Sequence, residues 1–130
     1  RVARLGIADR FHFTGFLRGE DVHKMFQLSD VYIMPSVSEP FGISPLEAMR
    51  SNVPVIISKQ SGVAEVLDYA IKVDYWDVDA MADAIYALIK YPALANMFAS
   101  KGLEEVTNLK WNDAAAKIKA VYEAAINDKK

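Results

Sequence analysis

The chain has 130 residues, of which 52% are hydrophobic and 25% charged, a composition that supports a folded core of about one domain. Its 15 lysines and arginines against 17 aspartates and glutamates give a formal net charge of −2, which excludes the basic surplus that nucleic acids and anionic membranes attract. The absence of cysteine excludes disulfides and thiolate zinc sites, and no apolar run approaches the ~20 residues that span a bilayer. We therefore expect a cytoplasmic domain with no nucleic-acid partner and no transmembrane segment.

Hydrophobic periodicity predicts strands that alternate with helices, followed by helices alone. In chain order it predicts the end of a helix over 1–9, a strand over 10–14, a helix over 20–28, a strand over 31–34, a helix over 43–51 that ends at a left-handed Asn52, a strand over 55–58, a short helix after Gly62 and a strand over 70–73. Apolar residues repeat at helical spacing over 81–89, Pro92 opens another helix, and Asn112 or Asp113 caps the last. The strands are uninterrupted apolar runs, so we expect an α/β fold, a Rossmann-like parallel sheet with helices on both faces.

The segment over 35–49 carries the strongest indication of a binding site. It leads from a buried strand into a helix, and ligands of open α/β sheets bind at the carboxyl ends of the strands. Gly42 allows a ligand to approach the backbone closely, and the free N–H groups around Ile43 and Ser44 at the helix start suit a phosphate.

Two glutamates flank this candidate phosphate site. Glu39 precedes the helix, and Glu47 lies about one turn inside it, roughly 5 Å further along the axis. Carboxylates repel a phosphate but accept hydrogen bonds from hydroxyl groups, so the pair fits the sugar and the ribose of a nucleotide-sugar. The spacing also fits two structural explanations: residues 44–47 form a capping box that Glu47 closes, and Glu39-Pro40 is a solvated turn.

The segment resembles the Glu-x7-Glu signature of retaining glycosyltransferases of the GT-B fold, the group 1 or family 4 type that includes bacterial glycogen synthases. Flanking segments at 11–16, 29–36, 53–57 and 61–67 are similar to the family in the same order, over nearly the whole chain. Asn52 departs from the family, which usually has glycine before the next strand, but asparagine is compatible with the same backbone shape.

The resemblance implies the residues that bind the donor. Glu47 would bind the ribose hydroxyls, and Glu39 would be the catalytic glutamate near the donor sugar and its leaving oxygen. The other donor-binding residues would be Phe41, Gly42, Ile43 and Ser44, through backbone amides at the sugar and distal phosphate, with Gly15 and Phe16 near the base. The enzymes that the chain resembles are metal-independent, so we expect neither a metal nor another cofactor.

The resemblance also implies that residues 1–130 form a single partial nucleotide-sugar-binding domain, part of the C-terminal half of a GT-B glycosyltransferase. The first strands of the domain, with an arginine and a lysine that neutralise the diphosphate, would be absent, as would the N-terminal domain that binds the acceptor sugar or glycan. The chain alone is therefore expected to be inactive. The absent strands would lie between 10–14 and 31–34, so we expect an exposed sheet edge and possible dimers.

Three further polar features have simpler explanations. Asp77-Val78-Asp79 spells the Asp-x-Asp metal motif of another glycosyltransferase fold, but it opens a predicted helix, where acidic residues serve as caps. His12 lies in a predicted strand and His23 on the polar side of a predicted helix, so we expect both to be structural or exposed.

Two other functions stay open at this stage. Nucleotide-sugar 2-epimerases share the GT-B architecture, although the run Glu39-Pro40-Phe41-Gly42 favours a transferase. A non-catalytic nucleotide-binding or assembly module is the other alternative. A dinucleotide-binding domain is disfavoured, because no Gly-x-Gly-x-x-Gly pattern follows a strand.

Overall fold

Three parallel strands form the sheet, in the order β1–β2–β3, in a computed structural model that describes residues 1–127. The strands are β1 (Tyr32–Met34), β2 (Val55–Ser58) and β3 (Ile71–Val73), and the helices are α1 (Glu20–Gln27), α2 (Ser44–Arg50), α3 (Val78–Lys90), α4 (Pro92–Asn108) and α5 (Trp111–Asn127). Short 3-10 turns occupy Ala3–Leu5, Ala8–Arg10 and Gly62–Glu65. The parallel register places Ile33 beside Ile56 and Ile57 beside Lys72.

Successive side chains of β2 point to opposite faces of the sheet, and a hydrophobic cluster covers each face. Val55 and Ile57 pack on one face with residues of α2, of the turn Gly62–Glu65 and of α4. Ile56 packs on the other face with β3 and with Leu88 of α3. All residues of β2 are buried, as expected of a central parallel strand. The predicted α/β fold with helices on both faces is therefore confirmed.

The prediction of a strand over 10–14 is wrong. These residues belong to no strand, and the side chains of Phe11 and Phe13 are 49% and 85% exposed. A strand gains its stability from a neighbour that accepts and donates its backbone hydrogen bonds, and no such neighbour exists within residues 1–127. The prediction of a helix end over 1–9 is also wrong. Two 3-10 turns occupy this segment, and Gly6, with a φ of +67°, ends the first of them.

The connection from α2 to β2 confirms the predicted helix end. Asn52 adopts a φ of +60°. Its N–H donates to the carbonyl of Met49 at 3.0 Å, and the N–H of Val53 donates to the carbonyl of Ala48 at 3.1 Å. This Schellman arrangement satisfies carbonyl groups that the helix end would leave unpaired, and it turns the chain directly into the buried strand.

Helix α5 begins at Trp111, ahead of the predicted caps Asn112 and Asp113. All its described residues are exposed, and the apolar side chains of Ile118, Val121, Tyr122 and Ile126 are 56% to 67% exposed.

Within the part of the chain that the structure describes, no helix is long and apolar enough to cross a membrane.

Candidate functional site

Ser58, one of two buried serines that are hydrogen-bonded to each other, holds the loop that follows β1, residues 35–42, which we call the site loop. The Ser58 hydroxyl, at the end of β2, donates to the carbonyl of Ser36 at 2.6 Å. The Ser61 hydroxyl donates to the carbonyl of Ser58 at 2.7 Å. Both serines are almost completely buried, so each hydrogen bond avoids the penalty of an unsatisfied polar group. The first half of the site loop is therefore fastened to the central strand.

Backbone hydrogen bonds fasten the second half of the site loop. Glu39 forms a parallel bridge with Ser61, the N–H of Gly62 donates to the Glu39 carbonyl at 2.9 Å, and the N–H of Val63 donates to the Phe41 carbonyl at 2.8 Å. A Cβ on Gly62 would lie only 2.0 Å from the carbonyl oxygen of Pro40, so only glycine fits there. The half-buried Glu39 thus lies on a segment that is held from both sides.

The backbone conformation and the close packing at position 42 favour glycine. Its φ of +93° is a conformation that other residues rarely adopt, and a Cβ there would lie 3.0 Å from the Met34 methyl and 3.1 Å from Glu39 Cγ. The backbone N–H groups of Phe41, Gly42 and Ile43 find no acceptor within residues 1–127. The site loop therefore ends in a short row of free hydrogen-bond donors that leads into α2.

The capping-box explanation of the segment 44–47 is wrong. The residue at the N-cap position is Ile43, and no side chain caps the helix. Ser44 instead places its hydroxyl 2.7 Å from the Tyr32 hydroxyl, which ties the start of α2 to β1. Glu47 therefore lies one residue beyond the position from which a capping glutamate reaches back, and its side chain is exposed.

Glu47 lines an open cleft of about 680 Å³ between α1 and α2, which we call the α1–α2 cleft. The cleft is lined by Leu17, Arg18, Gly19, Val22, His23, Phe26, Glu47, Arg50 and Ser51. A second cleft of about 310 Å³ adjoins it, shares Leu17, Val22 and Phe26 as its wall, and contains the predicted residues Gly15 and Phe16. A carboxylate, three basic side chains and an apolar wall thus meet in one open depression.

The predicted site residues separate into two groups. Glu47 lies in the α1–α2 cleft and Gly15 and Phe16 in the cleft beside it. Glu39, Phe41 and Gly42 lie on the site loop, Ile43 directly follows it, and none of these four lines either cleft. Ser44 connects the two groups, because its partner Tyr32 also lines the second cleft.

Sequence reasoning missed three basic residues of the α1–α2 cleft, Arg18, His23 and Arg50. Arg50 could have been found, since it follows Glu47 by three residues and shares its helix face. Arg18 and His23 could not, because the packing of α1 against α2 brings them there.

Residues 1–105 match the family described as "Glycosyl transferases group 1". The chain belongs to this family. It is 32% identical over 98% of its length to the lipopolysaccharide core biosynthesis mannosyltransferase LpcC of Rhizobium leguminosarum bv. viciae, and 30% identical over 95% to the D-inositol 3-phosphate glycosyltransferase of Corynebacterium diphtheriae. The chain spans 37% and 30% of these two curated relatives.

Two solved structures share the fold of this chain. The sucrose-phosphate synthase of Thermosynechococcus elongatus superimposes with a TM-score of 0.80 at 29% identity, over 98% of this chain and 33% of that one. Anabaena HepE, solved in complex with UDP-glucose, superimposes with a TM-score of 0.76 at 24% identity, over 82% of this chain and 30% of that one, and shows the same fold. The expected fold, part of the C-terminal half of a GT-B glycosyltransferase, is thereby confirmed.

A polar cluster lies just beyond the carboxyl ends of β2 and β3. The Asp74 carboxylate, just after β3, accepts from the Lys59 ammonium at 2.9 Å and from the Gln60 amide at 2.9 Å. Gln60 in turn accepts from the N–H of Tyr75 at 3.3 Å. The hydrogen bond from Lys59, followed by that from Gln60, lowers the pKa of Asp74 below its ordinary value.

The Asp-x-Asp pattern caps a helix, as predicted. An oxygen of the Asp77 carboxylate accepts from the N–H of Ala80 at 3.0 Å and begins α3. In residues 1–127, no three side chains of histidine, aspartate or glutamate gather in a way that could hold a metal ion. The expectation of a metal-independent site stays a prediction.

Proposed function

We propose that the chain is the donor-binding part of a retaining glycosyltransferase, which transfers a hexose from a nucleoside-diphosphate sugar to an acceptor hydroxyl. The observation that carries the proposal is the position of Glu47. Its carboxylate lines an open cleft whose neighbour contains Gly15 and Phe16, as expected if a ribose lies at Glu47 and a base beside it. Membership of the group 1 family supports the same assignment.

The free N–H groups at the end of the site loop and at the N-cap of α2 supply the electrostatic part of the proposal. Those of Phe41, Gly42 and Ile43 would donate to sugar hydroxyls and to the distal phosphate, where negative charge develops as the glycosidic bond breaks. Donors that are already oriented need no reorganisation during the reaction, and the bonds from Ser58, Gly62 and Val63 hold this loop in place. Glu39 would lie at the donor sugar as the catalytic glutamate.

The missing functions would come from outside the chain. A second domain of the enzyme would bind the acceptor sugar or glycan, and basic side chains outside residues 1–130 would neutralise the diphosphate. The chain covers about a third of its relatives, which agrees with such a division, so the isolated chain should bind donor without turnover. The donor itself would be the only small molecule required, without a metal or other cofactor.

Nucleotide-dependent unfolding tests the proposal. The chain is unfolded thermally with UDP, ADP, GDP and their glucose conjugates; UDP-glucose is included because HepE of the same fold was solved with it. A ligand at about 100 times its Kd should stabilise the chain by about 2.7 kcal/mol. Glu47→Gln should abolish this shift, whereas Glu104→Gln, an exposed glutamate of α4, should retain it.

Two outcomes would contradict the donor site. One is an undiminished shift in Glu47→Gln, which would favour the non-catalytic module with a different binding surface. The other is the absence of stabilisation by every nucleotide.

For the enzyme that contains this chain, an NMR assay of the anomeric product tests retention, and formation of an epimer without acceptor would favour the epimerase.

The open sheet edges support the possible dimer. In the described residues, β1 and β3 each have a strand neighbour on one side only, and such edges pair readily with other chains. Sedimentation equilibrium of the chain should show a reversible dimer. A monomer at all concentrations would contradict this part of the proposal.

A further inference from the structure

A chain of hydrogen bonds that passes through His23 ties helix α1 to the end of α2. The Ser51 hydroxyl donates to the carbonyl oxygen of Glu47 at 3.1 Å, and His23 Nδ1 lies 3.2 Å from the same hydroxyl oxygen. Because the one hydroxyl proton is directed to Glu47, the bond to His23 requires a hydrogen on Nδ1. His23 Nε2, 3.0 Å from the side-chain nitrogen of Gln27, then accepts from that amide.

This chain of hydrogen bonds joins the two sides of the α1–α2 cleft. His23 comes from one side of the cleft, whereas Ser51 and Glu47 come from the other, and all three line it. The charged groups around the imidazole in the cleft are the carboxylate of Glu47 and the guanidinium groups of Arg18 and Arg50. His23 is therefore placed where a change in its bonding alters the space beside the Glu47 carboxylate.

The hydrophobic core does not depend on this connection. Helix α1 is anchored to the core by Phe26, whose ring packs edge-on against Tyr32 at 5.6 Å between centroids. His23 is exposed and Ser51 half-buried, and neither belongs to a hydrophobic cluster. Removal of the His23–Ser51 bond should therefore leave the fold intact and loosen only the approach of α1 to the end of α2.

We propose that His23 is a positioning residue for the donor, which sets the separation of α1 and α2 at Glu47 and thereby the width of the cleft that receives the nucleoside. The inference rests on the proposed function, because it assumes that a nucleoside diphosphate binds beside Glu47. His23 acts through Ser51, whose hydroxyl bonds to the backbone of Glu47 itself. In this arrangement Nδ1 donates to Ser51 and Nε2 accepts from Gln27.

The test measures the Kd of the nucleoside diphosphate, among UDP, ADP and GDP, that stabilises the chain most. His23→Ala and Ser51→Ala remove the same hydrogen bond from opposite sides, and each should raise this Kd about threefold to tenfold. Their double variant should bind no worse than either single variant, because the two act as a unit. His23→Asn, whose amide N–H can lie near the position of Nδ1–H, should restore binding to within about twofold of the original.

Two matched controls separate positioning from general destabilisation. His12→Ala removes the other histidine, which is exposed and lies outside the α1–α2 cleft. Ser100→Ala removes a hydroxyl that donates to the carbonyl four residues earlier in α4, as the hydroxyl of Ser51 does at the C-cap of α2. Both controls should leave the Kd unchanged. Two-bond proton–nitrogen NMR spectra should also show His23 with its hydrogen on Nδ1, and Ser51→Ala should shift it towards Nε2.

The outcomes distinguish the two proposals. If no nucleotide binds the original chain, the proposed function fails and this inference fails with it. If a nucleotide binds and Glu47→Gln abolishes binding, but His23→Ala and Ser51→Ala bind normally, only the inference is overturned. It is also overturned if folded His23→Asn binds no better than His23→Ala, or if the hydrogen of His23 lies on Nε2.

Discussion

The backbone N–H of Gly62 donates to the carbonyl oxygen of Glu39 across 2.9 Å, which joins the turn after β2 to the glutamate of the site loop. The Cα of Gly62 faces the Pro40 carbonyl so closely that a Cβ would come within 2.0 Å of its oxygen. The catalytic position that we propose for Glu39 therefore depends on a glycine in another segment of the chain.

Gly62→Ala should destabilise the chain by about 1–3 kcal/mol, because the site loop must move to admit the methyl group. It should also weaken nucleotide binding, since the free N–H groups of Phe41 and Gly42 move with the loop. Thermal unfolding and a nucleotide titration measure the two effects. Gly102→Ala is the control, because its Cβ would meet only side-chain atoms of Met49, the nearest being the terminal methyl at 2.7 Å, and no backbone atom. Equal losses in both variants would contradict a specific role of Gly62.

Glu105 holds the loop that leads into β3. Its two carboxylate oxygens accept from the N–H groups of Asp68 at 2.7 Å and of Tyr69 at 3.1 Å. Glu105→Ala should cost about 1–3 kcal/mol, because two backbone donors lose their acceptor. Hydrogen exchange at these two amides should accelerate. The neighbouring Glu104→Ala removes only a surface pair with Lys101 and should leave both exchange rates unchanged; acceleration in both variants would refute the assignment.

The pKa of Asp74 should respond to the removal of Lys59. The hydrogen bond from Lys59, then that from Gln60, lowers the pKa of Asp74 below its ordinary 3.8. Since the folded state favours the ionised carboxyl, its contribution to stability is present above pH 3.8 and is lost as the pH falls through the lowered pKa. In a carbon NMR titration, Lys59→Met should raise this pKa, whereas Lys24→Met, on α1, should not. An unchanged pKa in Lys59→Met would show that Gln60 alone lowers it.

Asp77 should contribute to stability as a helix cap and take no part in donor binding. Asp77→Ala should cost about 0.5–2 kcal/mol, because the N–H of Ala80 loses its acceptor. Asp77→Asn should retain most of the stability, since its side-chain oxygen can accept the same bond. Asp79→Ala removes the other acidic side chain at the start of α3, and it tests whether a negative charge in the first turn stabilises the helix without the cap bond. A loss of nucleotide affinity in Asp77→Ala, with stability unchanged, would instead favour a role of the Asp-x-Asp pattern in binding.

Local features of the chain were predictable from the sequence. The buried strand Val55–Ser58 follows from its apolar run, the left-handed Asn52 from its place after a helix, and the Asp77 cap from its place before one. Each depends on residues within a few positions of one another. For this reason the site loop and its glycine, Gly42, could also be located, and the Glu-x7-Glu spacing directed attention to Glu39 and Glu47.

Local sequence was enough to predict the α/β class, the order of the strands and α-helices from residue 20 onwards and the segment that carries the candidate site, because these depend on short-range preferences and hydrophobic periodicity. Only the tertiary structure revealed that residues 10–14 form no strand, that Ser44 bonds to Tyr32 instead of capping its helix, and that His23 meets Ser51 beside Glu47. These contacts join residues 12 and 28 positions apart, or depend on a strand partner that residues 1–127 do not provide. Such contacts form only when packing brings distant segments together, so they cannot be predicted from the local sequence.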